Sequence, residues 1–280
     1  MDFKISKNKI MRKFKLGAHE IPSLGFGTWQ IIGDTCIEAV ETALEIGYRH
    51  IDGAAAYQNH NEVGKGIQNS GISRDEIFIT SKLWITDMHK QAAIDACKKA
   101  LDELGIQYLD LYLMHWPDRK IPVDQTLGAL TELKEMGLIK EWGISNSNIH
   151  HIQDILAKGY KPVNNQVEFH PSLNQKALKE FCDEKNILVT AYSPIAQGAD
   201  LKLPLITELA QKYNKSTSQV VLNWIISKGI VAIPKGSSKD HILDNFKTLE
   251  WELDLTDLAK IDTLNTNNRL IIPHWADFDY

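Results

Sequence analysis

Four ionisable side chains stand where they could act together. Asp52 ends one short apolar segment, with Tyr57 just beyond it, while Lys82 and His115 end the next two such segments. Each residue alone is weak evidence, since an aspartate after a strand is often a helix cap. Their joint placement on three neighbouring strand ends is improbable by chance and predicts a shared site.

These residue types suit a proton transfer to or from a carbonyl oxygen. A lysine ammonium stabilises a nearby phenolate and is expected to lower the pKa of the phenol from about 10. A carboxylate beside the lysine keeps it charged, and the tyrosine can then donate or accept a proton. A neutral histidine can donate a hydrogen bond to an oxygen that gains negative charge. The hydride for carbonyl reduction must come from a cofactor, because no side chain supplies one.

The elements that position these side chains alternate between short strand-like runs and longer helix-like runs. In the helix-like run around Ile94, Cys97 and Leu101, for example, apolar residues recur at helical spacing. Eight such units predict an α/β fold, a (β/α)8 TIM barrel, with a doubly wound open sheet as the alternative. The expected strands are 24–28, 48–52, 77–82, 109–115, 141–145, 165–168, 188–193 and 230–235.

An N-terminal β-hairpin is expected before the first unit. It covers residues 14–21, has its turn near Gly17, and could plug the closed end of the barrel. No proline- or serine-rich linker divides the chain, so residues 1–280 are expected to form a single domain. Active sites of such barrels lie at the C-terminal ends of the strands, which is where the four ionisable residues stand.

Longer motifs around these residues resemble the aldo-keto reductases, in family order and at family spacing over nearly the whole chain. The resemblance implies one aldo-keto-reductase-like barrel domain and NADPH-dependent reduction of aldehydes and ketones to alcohols. It also implies that Tyr57 is the general acid of a reversible hydride transfer, assisted by Asp52, Lys82 and His115. The motifs are 47–54 with Tyr57, 79–84, 114–117, 143–146, 165–171, 192–194 and 233–235.

The resemblance further implies a site for NADPH, with NADH as a weaker alternative. Amide and hydroxyl groups would bind the nicotinamide carboxamide, and the Tyr192 ring would stack on the nicotinamide. Lys235 would hold the 2′-phosphate at a helix N-terminus. The implied cofactor-binding residues are Thr28, Asp52, Ser145, Asn146, Gln166, Tyr192, Ser193, Pro194, Ile195, Gln197, Ile233, Lys235, Gly236, Ser237, Ser238, His241, Asp244 and Asn245.

Three positions depart from the family pattern. His241 replaces the usual arginine and Gly236 the usual serine, so a reduced preference for NADPH over NADH is expected. His60 stands where the family usually has an acidic residue or glutamine, and little effect on the chemistry is expected there.

The substrate site is expected to be apolar. Trp29, Trp84 and Trp116 follow strand ends on the active face and would line it together with Tyr57 and His115. The chain ends soon after residues 267–269, so a short C-terminal loop, an open pocket and broad specificity are expected.

Composition excludes several other classes of protein. Thirty-one basic residues against 36 acidic ones give a net charge of −5, which argues against a nucleic-acid partner. No apolar stretch approaches the roughly 18 residues of a membrane span. The basic N-terminus, with Lys4, Lys7 and Lys9, has no apolar signal core after it. These features give the expectation of a cytoplasmic protein with no obligate protein partner, and the resemblance adds a small carbonyl compound as its substrate.

Metal or disulfide sites are not expected. Cys36, Cys97 and Cys182 are widely spaced and odd in number, as in proteins of a reducing compartment. His150 and His151 have no third ligand at metal spacing and are expected to begin a helix.

Two alternative functions stay open at this stage. A Schiff-base aldolase on the same barrel would use Lys82 as its amine, but leaves Tyr192 and the cluster at Lys235 without a purpose. A non-catalytic cofactor-binding subunit would keep the cofactor residues, but the complete catalytic set argues against it.

Overall fold

The computed structural model describes residues 11–280, so Lys4, Lys7 and Lys9 of the basic N-terminus lie outside the described residues. A hairpin opens this part of the chain, with strand β1 (Lys13–Leu16) antiparallel to β2 (His19–Pro22). The turn needs Gly17, which has a φ of 56° and where an added Cβ would lie 2.7 Å from Glu141 Oε1. The predicted hairpin and its turn are confirmed.

Eight parallel strands follow the hairpin, and each pairs with its neighbours in sequence. The first and last strands also meet, because Gly25 N donates to Ala232 O at 2.8 Å and Gly27 N donates to Pro234 O at 3.0 Å. The sheet therefore closes into a barrel, as predicted. Its strands are β3 (Phe26–Gly27), β4 (His50–Asp52), β5 (Phe78–Leu83), β6 (Leu109–Met114), β7 (Ile139–Ser145), β8 (Asn164–Glu168), β9 (Leu188–Tyr192) and β10 (Val231–Ala232).

Helices surround this barrel. In the third helix, Ile94, Cys97 and Leu101 recur at helical spacing and are buried against the sheet, and the helix ends where Gly105 takes a φ of 66°. The helices are α1 (Gly33–Ile46), α2 (His60–Asn69), α3 (Lys90–Leu104), α4 (Val123–Glu135), α5 (Ile149–Ala157), α6 (Lys176–Glu184), α7 (Pro204–Tyr213), α8 (Thr217–Ser227), α9 (Lys239–Phe246) and α10 (Leu255–Asp262).

The apolar core has two parts. The larger part lies between the strands and the helices, where the rings of Phe169 and Trp224 stack at 5.4 Å. The smaller part fills the barrel under the hairpin, and there Leu16 and Ile21 pack with Leu111 and other strand residues. The hairpin therefore closes the amino-terminal end of the barrel and leaves the opposite end open for a site.

The structure also shows the state of the three cysteines and the character of the helices. Cys36, Cys97 and Cys182 are all buried and form no disulfide. Within residues 11–280, no helix combines the length and the apolar character needed to cross a bilayer.

Candidate active site

A pocket of about 650 Å³ opens at the carboxyl ends of the barrel strands. The side chains of Asp52, Tyr57 and His115 reach it from β4, the loop after β4 and the end of β6. Lys82, from β5, lies directly beneath them and is itself fully buried. The four residues singled out from the sequence thus stand at one end of the barrel.

Strand register explains how these side chains meet. Asp52 pairs with Thr80 across β4 and β5, and Lys82 lies two residues further along the same face of β5. Tyr57 follows on a single turn of 3-10 helix (Ala55–Tyr57), which ends at Gln58 in a left-handed conformation with a φ of 55°.

The Lys82 ammonium uses all three of its hydrogens. It donates to the carboxylate of Asp52, to the Gly53 carbonyl oxygen at 2.8 Å and to the Tyr57 hydroxyl oxygen at 3.2 Å. The other carboxylate oxygen of Asp52 accepts from Gln166 Nε2 at 2.7 Å, across the barrel. Because the phenol oxygen of Tyr57 accepts from the ammonium, its own hydrogen is left to donate into the pocket.

Burial and charge act against each other in this cluster. Burial by itself would lower the pKa of Lys82, but the neighbouring Asp52 and Tyr57 outweigh it and raise that pKa. Burial raises the pKa of Tyr57, and the Lys82 charge opposes this effect without overcoming it. The sequence-based expectation of a lowered phenol pKa is therefore wrong, because desolvation is the larger effect. Tyr57 is thus a protonated donor at ordinary pH.

His115 completes the cluster as a neutral ring. Burial, and then the positive charge of Lys82, hold its pKa well below the usual range. Its ring stands edge-on to Tyr57 at 5.9 Å and to Trp84 at 5.2 Å. Its Nδ1 atom is buried and has no hydrogen-bond partner within residues 11–280. A neutral imidazole beside a phenol can donate a hydrogen bond to an oxygen without bringing a second charge.

One wall of the pocket carries most of the residues expected to bind a cofactor. Tyr192 donates from its hydroxyl to Asn146 Oδ1 at 2.7 Å, which fixes the ring and the amide together. Ser145 lies behind them, with its hydroxyl donated to the Gln166 carbonyl oxygen at 2.7 Å. The expected cofactor residues that line the pocket are Thr28, Asp52, Asn146, Gln166, Tyr192, Ser193, Pro194, Ile195, Gln197, Ile233 and Lys235.

The remaining expected cofactor residues lie beyond the rim, at or near helix α9. The Ser238 hydroxyl caps this helix by accepting from His241 N at 3.3 Å. Asp244 accepts from Ser216 Oγ at 2.6 Å and from Gln219 Nε2 at 2.7 Å. His241 is exposed. The residues of this group are Gly236, Ser237, Ser238, His241, Asp244 and Asn245.

This wall has the chemistry that a nicotinamide dinucleotide needs. It offers an aromatic face in Tyr192, primary amides in Asn146 and Gln166, and a cation in Lys235, whose ammonium lies 5.8 Å from the centre of the Trp29 ring. The connection after β9 has positive φ at Ser193, so it departs from the strand direction and runs along the pocket.

The opposite wall is aromatic. Trp29, Trp84 and Trp116 line it, but Ile271 and Trp275, which sequence reasoning missed, do so as well. The Trp275 ring packs edge-on against Trp84 at 5.7 Å and against Trp116 at 5.0 Å. The C-terminal segment, expected to be short and to leave the pocket open, thus contributes two side chains to the pocket lining. The only signal in the sequence was a tryptophan in a segment without helical or strand periodicity.

Known proteins share both the sequence and the architecture of this chain. The model of the Aldo/keto reductase family matches residues 23–266. The glyoxal reductase of Bacillus subtilis is 42% identical over 253 residues, covering 90% of this chain and 91% of that protein. The methylglyoxal reductase of Escherichia coli K12 is 40% identical over 260 residues, covering 89% and 92%.

Solved structures agree with these sequence relatives. The crystal structure of an aldo/keto reductase from Brucella melitensis matches with a TM-score of 0.88 and 38% identity, covering 91% of this chain and all of that one. An aldo-keto reductase from a Medee basin deep-sea metagenome library matches with a TM-score of 0.90 and 36% identity, covering 94% and 97%. The chain belongs to the aldo-keto reductase family and is a carbonyl-reducing oxidoreductase.

Proposed function

We propose that this enzyme reduces aldehydes and ketones with NADPH, and that Tyr57 is its general acid. One observation carries the proposal: the buried Lys82 ammonium contacts both the Asp52 carboxylate and the Tyr57 hydroxyl. Burying charged groups is costly, and this buried ion pair is in direct contact with a phenol that faces a pocket, which is the arrangement a proton donor needs.

In the proposed mechanism, the substrate carbonyl oxygen lies between the Tyr57 hydroxyl and the His115 ring. The hydride for the carbonyl carbon would come from NADPH when it is bound along the Tyr192 wall. Tyr57 gives its proton to the oxygen as negative charge develops, and Lys82 stabilises the phenolate that remains. Asp52 keeps Lys82 charged and in place. In the reverse direction Tyr57 accepts the proton, so alcohol oxidation needs the phenolate.

The same wall supports the cofactor assignment. Tyr192 would stack on the nicotinamide, and Asn146 and Gln166 would bind its carboxamide. Ser145 would contribute by orienting Asn146, since Asn146 Nδ2 donates to its hydroxyl at 3.1 Å. Lys235 would supply one positive charge for the 2′-phosphate, with hydroxyls from Ser237 and Ser238 completing that end of the site. NADPH is then preferred to NADH.

The two alternative functions receive no support. A Schiff-base aldolase needs a lysine with a free lone pair, but Lys82 is held as an ammonium with all three hydrogens donated. A non-catalytic subunit would have no use for a proton donor, a cation and a neutral histidine around one pocket.

The substrates are proposed to be uncharged carbonyl compounds, because four tryptophans and an isoleucine line the substrate wall. The names of the two bacterial relatives add the small dicarbonyls glyoxal and methylglyoxal as candidates. The buried, unpaired cysteines accord with a cytoplasmic location, which stays a prediction.

The test is the consumption of NADPH by the purified protein with glyoxal, methylglyoxal and an aromatic aldehyde. Steady turnover that needs both the carbonyl compound and the reduced cofactor supports the proposal. Trapping of substrate on Lys82 by borohydride, without any cofactor, would support the aldolase instead. Binding of NADPH without turnover of any carbonyl compound would support the non-catalytic subunit.

A further inference from the structure

A second buried charged cluster lies beside the active site. His170 is completely buried, with Nε2 3.0 Å from Glu168 Oε1 and Nδ1 3.0 Å from Asp200 Oδ2. Carboxylates only accept hydrogen bonds, so both ring nitrogens must carry hydrogens for both contacts to form. The ring is then an imidazolium. Burial opposes this charge, but the two carboxylates outweigh burial and raise the pKa of His170.

Glu168 links this cluster to the C-terminal segment of the chain. Its Oε1 atom accepts from the backbone N–H of Leu270 at 2.8 Å, and its Oε2 atom accepts from that of Ile271 at 3.0 Å. Ile271 lines the pocket, and four residues later Trp275 packs against Trp84 and Trp116. The Glu168 carboxylate thus holds the backbone at Leu270 and Ile271, where the segment that carries Trp275 begins, while the far side of that segment is held by the Arg119–Asp277 ion pair.

Asp200 holds the histidine from the other side. It belongs to a turn of 3-10 helix (Asp200–Lys202) in the connection after β9, and it accepts from Ser172 N at 2.9 Å and Ser172 Oγ at 2.7 Å. The carbonyl oxygen of Ser172 in turn accepts from Thr266 N at 3.1 Å and Asn268 N at 3.0 Å. The loop that carries His170 therefore binds the C-terminal segment through two further backbone hydrogen bonds.

The cluster has no chemical role of its own. Glu168, His170 and Asp200 are absent from the pocket lining, and the hydrogen bonds of their side chains go to one another, to Ser172 and to the backbone of Leu270 and Ile271. Both ring nitrogens face carboxylate oxygens at hydrogen-bond distance, and within residues 11–280 no group of histidine, cysteine or acidic side chains is arranged to hold a metal ion. What the cluster contacts is the backbone that shapes the substrate wall.

We propose that His170 is a positioning residue for the substrate. Its positive charge keeps Glu168 ionised and aimed at the N–H groups of Leu270 and Ile271, and this holds Ile271 and Trp275 against the substrate. The proposal rests on the proposed carbonyl reduction, because it concerns the substrate wall of that same pocket. Without the imidazolium, Glu168 and Asp200 would keep only hydrogen bonds from neutral N–H and O–H groups, and Glu168 would take up a proton or turn away.

The test compares two substrates in wild type and in His170→Gln. One substrate is a biphenyl carboxaldehyde, long enough to reach Ile271 and Trp275, and the other is the smallest aldehyde that the wild type reduces. We expect the KM of the long aldehyde to rise about tenfold, because roughly one well-packed apolar contact is lost. The kcat for both aldehydes and the KM of the small aldehyde should change less than about twofold. Ile206→Val, a substitution in the buried face of α7, serves as the control for a general loss of stability.

Equal changes in KM for both aldehydes, or no change in either, would overturn the inference. A wild type that reduces no carbonyl compound would instead refute the proposed function, so the two failures are distinguishable. A purely structural role for His170 predicts loss of folded protein without any difference between the two substrates.

Two measurements keep the inference testable if His170→Gln does not fold. In the wild type, the nitrogen NMR signals of the His170 ring should be those of an imidazolium at pH 7, and a neutral ring would overturn the inference. In Glu168→Gln, which keeps one acceptor oxygen but removes the charge, amide exchange over residues 266–276 should be faster. Exchange of the barrel strands should stay unchanged. Unchanged exchange in the C-terminal segment would also contradict the proposal.

Discussion

Replacing Tyr57 by phenylalanine isolates the proposed proton donor, because it removes one oxygen and keeps the ring. We expect kcat for carbonyl reduction to fall by about 10² to 10⁴, the usual contribution of a positioned general acid. The dissociation constant of NADPH should change little, since the hydroxyl contacts Lys82 on the side of the proton relay. Stopped-flow measurement of single-turnover NADPH oxidation, with cofactor titration by fluorescence, separates the two effects.

The effect of Tyr57→Phe on stability follows from the contacts of Lys82. The ammonium loses one of three acceptors but keeps the Asp52 carboxylate and the Gly53 carbonyl oxygen. Because Tyr57 lines an open pocket, water can replace the lost oxygen, and we expect the free energy of unfolding to fall by no more than about 1 kcal/mol. A large loss of turnover with nearly full stability is therefore the expected combination.

Tyr213→Phe is the matched control for this experiment. The Tyr213 hydroxyl also lies between a lysine and an aspartate, accepting from Lys212 at 3.4 Å and donating to Asp257 at 2.7 Å, but it stands on α7 away from the pocket. Its removal should leave kcat unchanged. Turnover of Tyr57→Phe within a few-fold of wild type would refute the role of Tyr57, as would an equal loss in the control variant.

Three further outcomes are expected. Lys82→Met should abolish turnover and lower the free energy of unfolding by about 3–5 kcal/mol, because it leaves Asp52 as an unpaired buried charge; denaturant unfolding measures this loss, and a fully stable variant would contradict it. The kcat of reduction should not fall between about pH 8 and pH 6. The pKa of His115 lies well below its usual value of about 6.5, so its ring stays neutral over this range, and the raised pKa of Tyr57 keeps the phenol protonated. A fall in kcat centred near pH 6.5 would argue against a neutral His115. His241→Arg should raise the ratio of the NADH to the NADPH dissociation constant by about tenfold. The arginine would add a charge-assisted hydrogen bond to the 2′-phosphate, which contributes roughly 1.5–3 kcal/mol. An unchanged ratio would place residue 241 outside the phosphate site.

The barrel and the reacting end of the site could be predicted from the sequence for physical reasons. Strands buried on both faces appear as apolar runs, and the residues that end them are brought together by any closed parallel barrel. Asp52, Lys82 and His115 could thus be grouped without knowing a single distance. The boundaries of the strands were less accurate: β3 and β10 are only two residues long, although five and six residues were expected there.

The substrate wall could not be predicted in the same way. Trp275 lies in a segment without regular secondary structure, and its position depends on contacts with Trp84 and Trp116 that no local pattern encodes. Glu168 and His170 stand in the motif 165–171, but nothing in that motif indicates that Glu168 binds the backbone of Leu270 and Ile271. The direction of the Tyr57 pKa was also missed, because the extent of burial is not visible in the spacing of charges.

The closure of the barrel has a consequence for how the protein is made. The hydrogen bonds from Gly25 to Ala232 in the last strand and from Gly27 to Pro234 just beyond it join the two ends of the barrel sequence. This seam cannot form until the final strand has left the ribosome. Contacts between such distant parts of a chain are slow to form, because closing the long loop between them costs conformational entropy before the contacts stabilise the structure. Trp29 and Lys235 face each other across the seam, so the rim of the pocket there is completed last. Until then, the apolar inner surfaces of the two end strands are exposed to chaperones and to other unfinished chains.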